Sequence, residues 1–307
     1  SLTQLRKAEI CPEQMGWYPE KINSSLNAVI LGMHAKKDNP ELLAAQNIGL
    51  PLFSYPEFIA HHTRNKTRVV IAGSHGKTSI SAMVLHVLNY HKKSVDYMIG
   101  AQLEGLDNSV HLSENNEFVI LEGDEYLSSS IDLRPKFHHY CPQIALISGI
   151  AWDHVNVFKT EADYNRQFKT FIDSITPGGV LVYNQEDIAL RKMVMDSQNT
   201  IRKEPYGILD HMVSNGVTHF ETDEGFIPLK IFGRHNLSNL SGAKWICQLI
   251  GINEDDFYHA ISSFKGASKR LELLAKGRTS YLFKDFAHAP SKVCLLYTSP
   301  SPRDRSI

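Results

Sequence analysis

TRVVIAGSHGKT, residues 67–78, couples a run of β-branched and apolar residues to a glycine-bounded turn and then to a helix. Thr67 to Ala72 reads as a buried strand. Beyond Thr78, the residues Met83, Val84, Val87 and Leu88 recur at helical spacing. A strand that passes through glycines into a helix can cradle a phosphate. The glycines let backbone N–H groups approach it, and the helix N-terminus adds positive potential. Lys77 would then neutralise the β/γ-phosphates, and the Thr78 hydroxyl would hold Mg²⁺. The general phosphate-loop pattern asks for glycine five residues before Gly76, where this chain has Ile71. A strand-to-helix turn with a chance lysine is the competing reading of these residues alone.

Working outward, strands are expected at 117–122 (EFVILE), 144–148 (IALIS) and 179–183 (GVLVY). Between the last two, Phe168, Phe171, Ile172 and Ile175 form one stripe of a helix over roughly 161–175. Near-continuous apolar strands alternating with helices indicate an α/β fold with a mostly parallel sheet covered on both faces. Upstream, 27–33 (NAVILGM) reads as a strand, Asp38-Asn39-Pro40-Glu41 as a helix start, Leu52-Phe53 as a second strand, and the surroundings of Phe58 as a second helix. That β-α-β-α rhythm has no glycine-rich first turn before it, so a partial Rossmann-like domain without its N-terminal half is expected. Downstream, 217–231 reads as a small β addition, 236–250 and 254–264 as helices, and 280–284 as the first strand of something new. A helix is expected from Pro290, but periodicity is lost within a few residues. The Ser/Pro/Arg-rich stretch 294–307 is read as a non-native, disordered tail.

Glu122, Asp124 and Glu125 stand at the C-terminal end of one expected strand, and Asp153 and His154 follow the next. In an open α/β sheet that is the ligand-binding end. A carboxylate placed there can hold Mg²⁺ beside nucleotide phosphates. Taken alone, the acidic run reads more readily as a solvated loop. Its convergence with the phosphate loop and a histidine favours a site.

Composition narrows the class. The formal net charge of −1 argues against a nucleic-acid or membrane-surface partner. Cys11, Cys141, Cys247 and Cys294 are widely spaced and form no CxxC pair, which fits a reducing cytoplasm and no zinc site. The first residues show no apolar signal-peptide core, and no run of apolar residues is long enough to span a bilayer.

GSHGKTS at 73–79 resembles the phosphate loop of the Mur ligases, a variant that does without the early glycine. EGDEY, WDH, GRHNLSN (233–239), KRLE (269–272) and DFAHAP (285–290) follow in that family's order, so the resemblance extends over roughly 25–292. Within the family, EGDEYLSSSIDLRPKFHHYCP and DFAHAPSK are most similar to the peptidoglycan-recycling murein peptide ligases. One departure is Ala289, where a second histidine is common.

The resemblance implies a P-loop central domain over 64–276. It is preceded by the C-terminal part of a UDP-substrate-binding domain (1–63) and followed by only the start of a C-terminal domain (277–293), the rest of which is expected to be missing. ATP and Mg²⁺ are the implied cofactors. Gly73, Ser74, His75, Gly76, Lys77, Thr78 and Ser79 would hold the phosphates. Asn236 and Asn239 match an adenine-side motif, Arg270 a phosphate-facing arginine, and Asp285 a ribose-binding acid. Thr78 and Glu122 would serve Mg²⁺, with His154 similar to a second-metal ligand; Lys77, Glu122 and His154 are the implied catalytic set. No position is matched to the carbamylated lysine of some members. The implied partners are UDP-N-acetylmuramate and an amine, either the tripeptide L-Ala-γ-D-Glu-meso-diaminopimelate or L-alanine. A non-catalytic nucleotide-binding module is the alternative from another class. Residues 1–307 alone are expected to bind MgATP weakly and not to ligate.

Overall fold

A computed structural model of the chain describes residues 2–294 apart from 8, 13, 101–105, 107, 215, 216, 224, 268, 269, 271, 279 and 288–291. Pro290 and residues 295–307, and with them the expected helix start and tail, lie outside the described residues. The chain divides into two units, one of Ser1–Ile59 with Leu127–Arg134, the other of Ala60–Tyr126 with Pro135–Ile307.

In the first unit, α1 (Leu2–Lys7) precedes β1 (Val29–Leu31), α2 (Pro40–Asn47) and β2 (Leu52–Ser54). The strands β1 and β2 pair in parallel, with Ile30 opposite Phe53. α2 starts where the sequence indicates. Asn39 Oδ1 accepts from the N–H groups of Glu41 (2.8 Å) and Leu42 (3.2 Å), and Pro40, which has no N–H to satisfy, takes the first turn. α3 (Tyr55–His62) follows, and the division between the units falls within its span.

The second unit is built on β3 (Thr67–Ala72), α4 (Lys77–Tyr90), β4 (Asp96–Met98), β5 (Val110–His111), β6 (Phe118–Gly123), β7 (Ile144–Ile147), α5 (Glu161–Asp173), β8 (Val180–Asn184), α6 (Ile188–Asp196) and β9 (Arg202–Tyr206). Its seven strands run in the order β5-β4-β6-β3-β7-β8-β9, all parallel except the β4–β5 pair. β3 is central, with Val70 beside Leu121 of β6 and Ala145 of β7, and Val69, Val70, Ile71 and Ala72 are fully buried. A strand enclosed on both faces needs apolar residues at every position, which is why its sequence shows no alternation.

After β3 the chain first builds β4 and β6 to one side and then crosses to β7, β8 and β9 on the other. The strand order therefore reverses at β3. At such a reversal the loops leaving the strand ends separate and open a crevice. α5 is capped by Thr160, whose Oγ1 accepts from Asp163 N at 3.1 Å. It buries Tyr164, Phe168, Phe171 and Ile172, and Phe137 stacks on Phe171 with ring centroids 4.7 Å apart. Each such side chain contributes about 1.5–3 kcal/mol by leaving water.

A three-stranded antiparallel sheet follows, of β10 (His211–Ser214), β11 (Val217–Thr222) and β12 (Gly225–Pro228). The β addition thus begins before the expected 217. α7 (Arg234–Leu249) and α8 (Glu254–Ile261) pack on α4, and β13 (Glu272–Lys276) pairs antiparallel with β14 (Tyr281–Lys284). This last hairpin joins residues on either side of 277.

Candidate functional site

The loop between β3 and α4 depends on its glycines. Gly73 sits at φ 127° and Gly76 at φ 78°, in the region that side chains disfavour. Each is also hemmed in: a Cβ on Gly73 would strike Ser148 Oγ, and one on Gly76 would strike Asn239 Oδ1. Ser148 Oγ in turn donates to the carbonyls of Ala72 (3.3 Å) and His75. α4 then opens at Lys77 with no side-chain cap, so its first-turn N–H groups have no partner within the helix.

Lys77 is held by two short bonds, its Nζ donating to Gly73 O and to Glu125 Oε2, both at 2.6 Å. Glu125 is fully buried; its other oxygen accepts from the Tyr164 hydroxyl at 2.9 Å and lies 3.5 Å from His154 Nε2. Burial alone would raise the Glu125 pKa. The Lys77 charge, with bonds from His154 and Lys77, more than reverses this and holds the carboxyl well below the usual range. Burial likewise disfavours the Lys77 ammonium, but Glu125, Asp124 and Glu122 offset it and the net shift is upward. Burial, helped by the Glu125 charge, keeps Tyr164 protonated. His75 is pushed down to about 4, first by burial and then by Lys77, Lys292 and His235, against Asp187. It is therefore neutral at neutral pH.

On the neighbouring wall Thr78 Oγ1 donates to Glu122 Oε1 at 2.8 Å, and Glu122 Oε2 accepts from Gly100 N at 2.7 Å. A hydroxyl and a carboxylate are the hard oxygen donors that Mg²⁺ takes, so these residues fit that ion. A second group, Asp124, Glu125 and His154, brings one ligand atom from each residue within 4.8 Å of the others. Asp124 also bonds Lys136 Nζ at 2.5 Å. His154 is held at φ 53° by its loop, with Asp153 Oδ1 accepting its N–H at 2.7 Å.

An open cleft of about 740 Å³ is lined by Ser74, His75, Gly76, Lys77, Thr78 and Ser79, by Glu122, and by Asn236, Asn239, Arg270 and Asp285. Residues up to 211 positions apart, from Ser74 to Asp285, that the sequence placed in one site thus line one cleft. Gly73 lies behind the loop against Ser148, and His154 stands with Glu125 rather than in the cleft lining. Within the KRLE motif, Lys269 and Leu271 lie outside the described residues, as do His288 and Ala289 of DFAHAP.

Four participants were not singled out from the sequence: Glu125 as the partner of Lys77, Tyr164 behind it, Lys292 in the cleft lining, and Asp187. Asp187 Oδ2 accepts from Ile150 N at 2.8 Å and braces the loop after β7. Glu125 and Lys292 carried a signal, the first in the EGDE run and the second at the end of DFAHAPSK, but neither was given this role.

A model of the Mur ligase middle domain matches residues 71–247, more than half of the chain. The chain belongs to the Mur ligase family. Mur ligases are ATP-dependent enzymes of cell-wall synthesis that form amide bonds. The chain is 27% identical, over 95% of its length, to the UDP-N-acetylmuramate–L-alanine ligase of Carboxydothermus hydrogenoformans, covering 64% of that protein. It is 26% identical, over 91% of its length, to the UDP-N-acetylmuramate–L-alanyl-γ-D-glutamyl-meso-2,6-diaminoheptandioate ligase of Escherichia coli, covering 63% of it. It therefore spans just under two thirds of these curated relatives. Its fold is similar to the crystal structure of a murein peptide ligase from Psychrobacter arcticus, with a TM-score of 0.75 at 23% identity over 95% of this chain and 66% of that one. Among the described residues no helix is long and apolar enough to cross a membrane.

Proposed function

We propose that this Mur ligase chain carries the nucleotide-binding and catalytic part of an ADP-forming ligase. Its reaction joins the carboxylate of UDP-N-acetylmuramate to the amine of L-Ala-γ-D-Glu-meso-diaminopimelate, as in peptidoglycan recycling. One observation carries the reading. Lys77, Thr78, Glu122, Glu125 and His154 converge where the strand order reverses, beside a cleft that also holds Asn236, Asn239, Arg270 and Asp285.

In this reading residues 1–63 belong to a UDP-substrate-binding domain, 64–276 to the central domain and 277–293 to the start of a C-terminal one. ATP lies along the phosphate loop 73–79, with Asn236 and Asn239 on its adenine side, Asp285 at the ribose and Arg270 towards the phosphates. Lys77, already aligned by Gly73 and Glu125, places its charge against the phosphate being transferred. Alignment in advance means that little freedom is lost when the ligand arrives. Mg²⁺, which Thr78 and Glu122 would hold, with His154 at a second position, supplies further charge to the phosphates. Phosphorylation of the carboxylate gives an acyl phosphate and ADP; the amine then attacks the acyl carbon and phosphate leaves. The buried acids, loop amides and Lys77 position reactants and stabilise charge throughout. The setting is the cytoplasm, with no nucleic-acid or membrane partner.

L-alanine as the acceptor is the second reading, favoured by the 27% identity to an L-alanine ligase. Phosphate release by the full-length protein that carries this chain tests both. It would be given MgATP, UDP-N-acetylmuramate and either acceptor. Turnover with the tripeptide alone supports the first reading, turnover with L-alanine alone the second, and silence with both defeats the ligase assignment.

A further inference from the structure

Lys292 closes the DFAHAPSK stretch but was given no role there, yet it lines the same cleft as Lys77 and Thr78. Its Nζ bonds Asp153 Oδ2 at 2.7 Å, across 139 positions of sequence, and the two side chains are only 19% and 11% exposed. Asp153 is itself anchored, since its other oxygen accepts the His154 N–H. The arrangement repeats that of Lys77, whose ammonium is aligned by Glu125. Each lysine thus has one buried or nearly buried acid behind it, and each faces the cleft. Lys292 also lies close enough to His75, in the phosphate loop, to act on its charge. Both residues line the cleft, so the ammonium shares that cavity with the phosphate loop.

Burying a lysine–carboxylate pair costs desolvation and seldom adds net stability. At the mouth of an anion site it has a use, because the acid fixes a long side chain that would otherwise lose rotamer freedom on binding. We propose that Lys292 is a second phosphate-binding cation of the nucleotide site, and that Asp153 is the positioning residue that holds it ready. The inference rests on the nucleotide reading of the cleft.

Chemical-shift titration of the chain with MgATP and with AMP, on the wild type and on Lys292→Gln and Lys292→Arg, tests it. A charge-assisted bond to phosphate predicts that Lys292→Gln weakens MgATP by about 10-fold or more. AMP binding should change by less than about 2-fold, and Lys292→Arg should restore most of the MgATP affinity. In an Asp153→Asn background the Lys292→Gln loss should shrink, because the lysine is no longer aligned. Unchanged MgATP affinity in Lys292→Gln overturns the proposal, and so does an equal loss for MgATP and AMP, which would mark a structural role. If the wild type binds neither nucleotide, the reading of the cleft falls, and the proposal with it.

Discussion

The central sheet carries a lysine–carboxylate pair at each end, and the two pairs differ in what else they touch. At the N-terminal end, Lys66 lies 2.9 Å from Asp96 and also donates to the carbonyls of Ser113 (2.6 Å) and Asn116 (2.7 Å). Asp96 is fully buried, and its Oδ1 accepts from Ser113 N, Ser113 Oγ and Asn116 Nδ2. These bonds tie β3, β4 and the turn before β6 into one knot, and neither residue lines the cleft. At the C-terminal end, Lys77 and Glu125 form an equally short pair, but Lys77 faces that cleft. Similar chemistry therefore serves as a rivet at one end and as a poised charge at the other. The difference arises from topology, because only the C-terminal ends of the strands flank the reversal at β3.

The largest effect should come from Lys77→Ala. In the full-length protein it should lower kcat/KM by about 10²–10³-fold, the scale for losing one preorganised donor to developing charge. Near-normal turnover would remove the functional half of the comparison.

Lys66→Met should do the opposite. It strips the cation from a fully buried carboxylate, and urea unfolding should show a loss of about 3–5 kcal/mol. The fraction that remains folded should bind MgATP as the wild type does. A drop in nucleotide affinity without a loss of stability would show that the far end of the sheet is not merely structural.

The two ends also differed in how legible they were. The strand TRVVIA and the GKT turn stand out because a doubly covered strand must be apolar throughout and the loop must be glycine-rich. The phosphate loop and Glu122 could therefore be placed, whereas Asn236, Asn239, Arg270 and Asp285 came only with the family resemblance; all but Gly73, which sits against Ser148, line the cleft. β4 escaped notice because it is three residues long and begins with a buried aspartate, which makes sense only once Lys66 is beside it. β9 (RKEPY) pairs on one side only, so it tolerates charge and a proline. β13 (ELLAK) is made of helix formers and is strand only because β14 pairs with it. Lys77–Glu125 and Asp153–Lys292 join residues 48 and 139 positions apart, and no local pattern signals such partners.

Acid unfolding sharpens the comparison. Asp96 is held below its ordinary pKa; burial opposes this, but the bonds from Lys66, Asn116 and Ser113 prevail. A depressed carboxylate contributes stability that is fully present above its unfolded-state value, near ~4, and is lost as pH falls through the lower folded value. Stability of the wild type should therefore fall as pH drops below about 4, and in Asp96→Asn that fall should be shallower by up to about 1.4 kcal/mol per pH unit. Saturating MgATP should leave the Asp96 contribution unchanged, since its partners do not line the cleft. An Asp96→Asn slope identical to that of the wild type would mean that the pair is not formed in solution.

The smallest effect tests whether Glu125 combines both roles. Tyr164 is fully buried, and its hydroxyl donates to Glu125 Oε1, the oxygen that does not bond Lys77. Tyr164→Phe removes that donor with almost no change of shape, so the expected cost is that of one hydrogen bond to a charged group, about 1–3 kcal/mol in urea unfolding. Lys77 keeps both of its bonds, so MgATP affinity should move by less than about 3-fold, well below the effect expected of Lys77→Ala. If affinity instead falls by 10-fold with stability intact, the hydroxyl sets the position of Glu125 and, through it, of Lys77. The poised pair would then extend to the core face of α5. If stability falls alone, Glu125 is a rivet through one oxygen and a guide for the lysine through the other, and the contrast between the two ends of the sheet would be repeated within a single carboxylate.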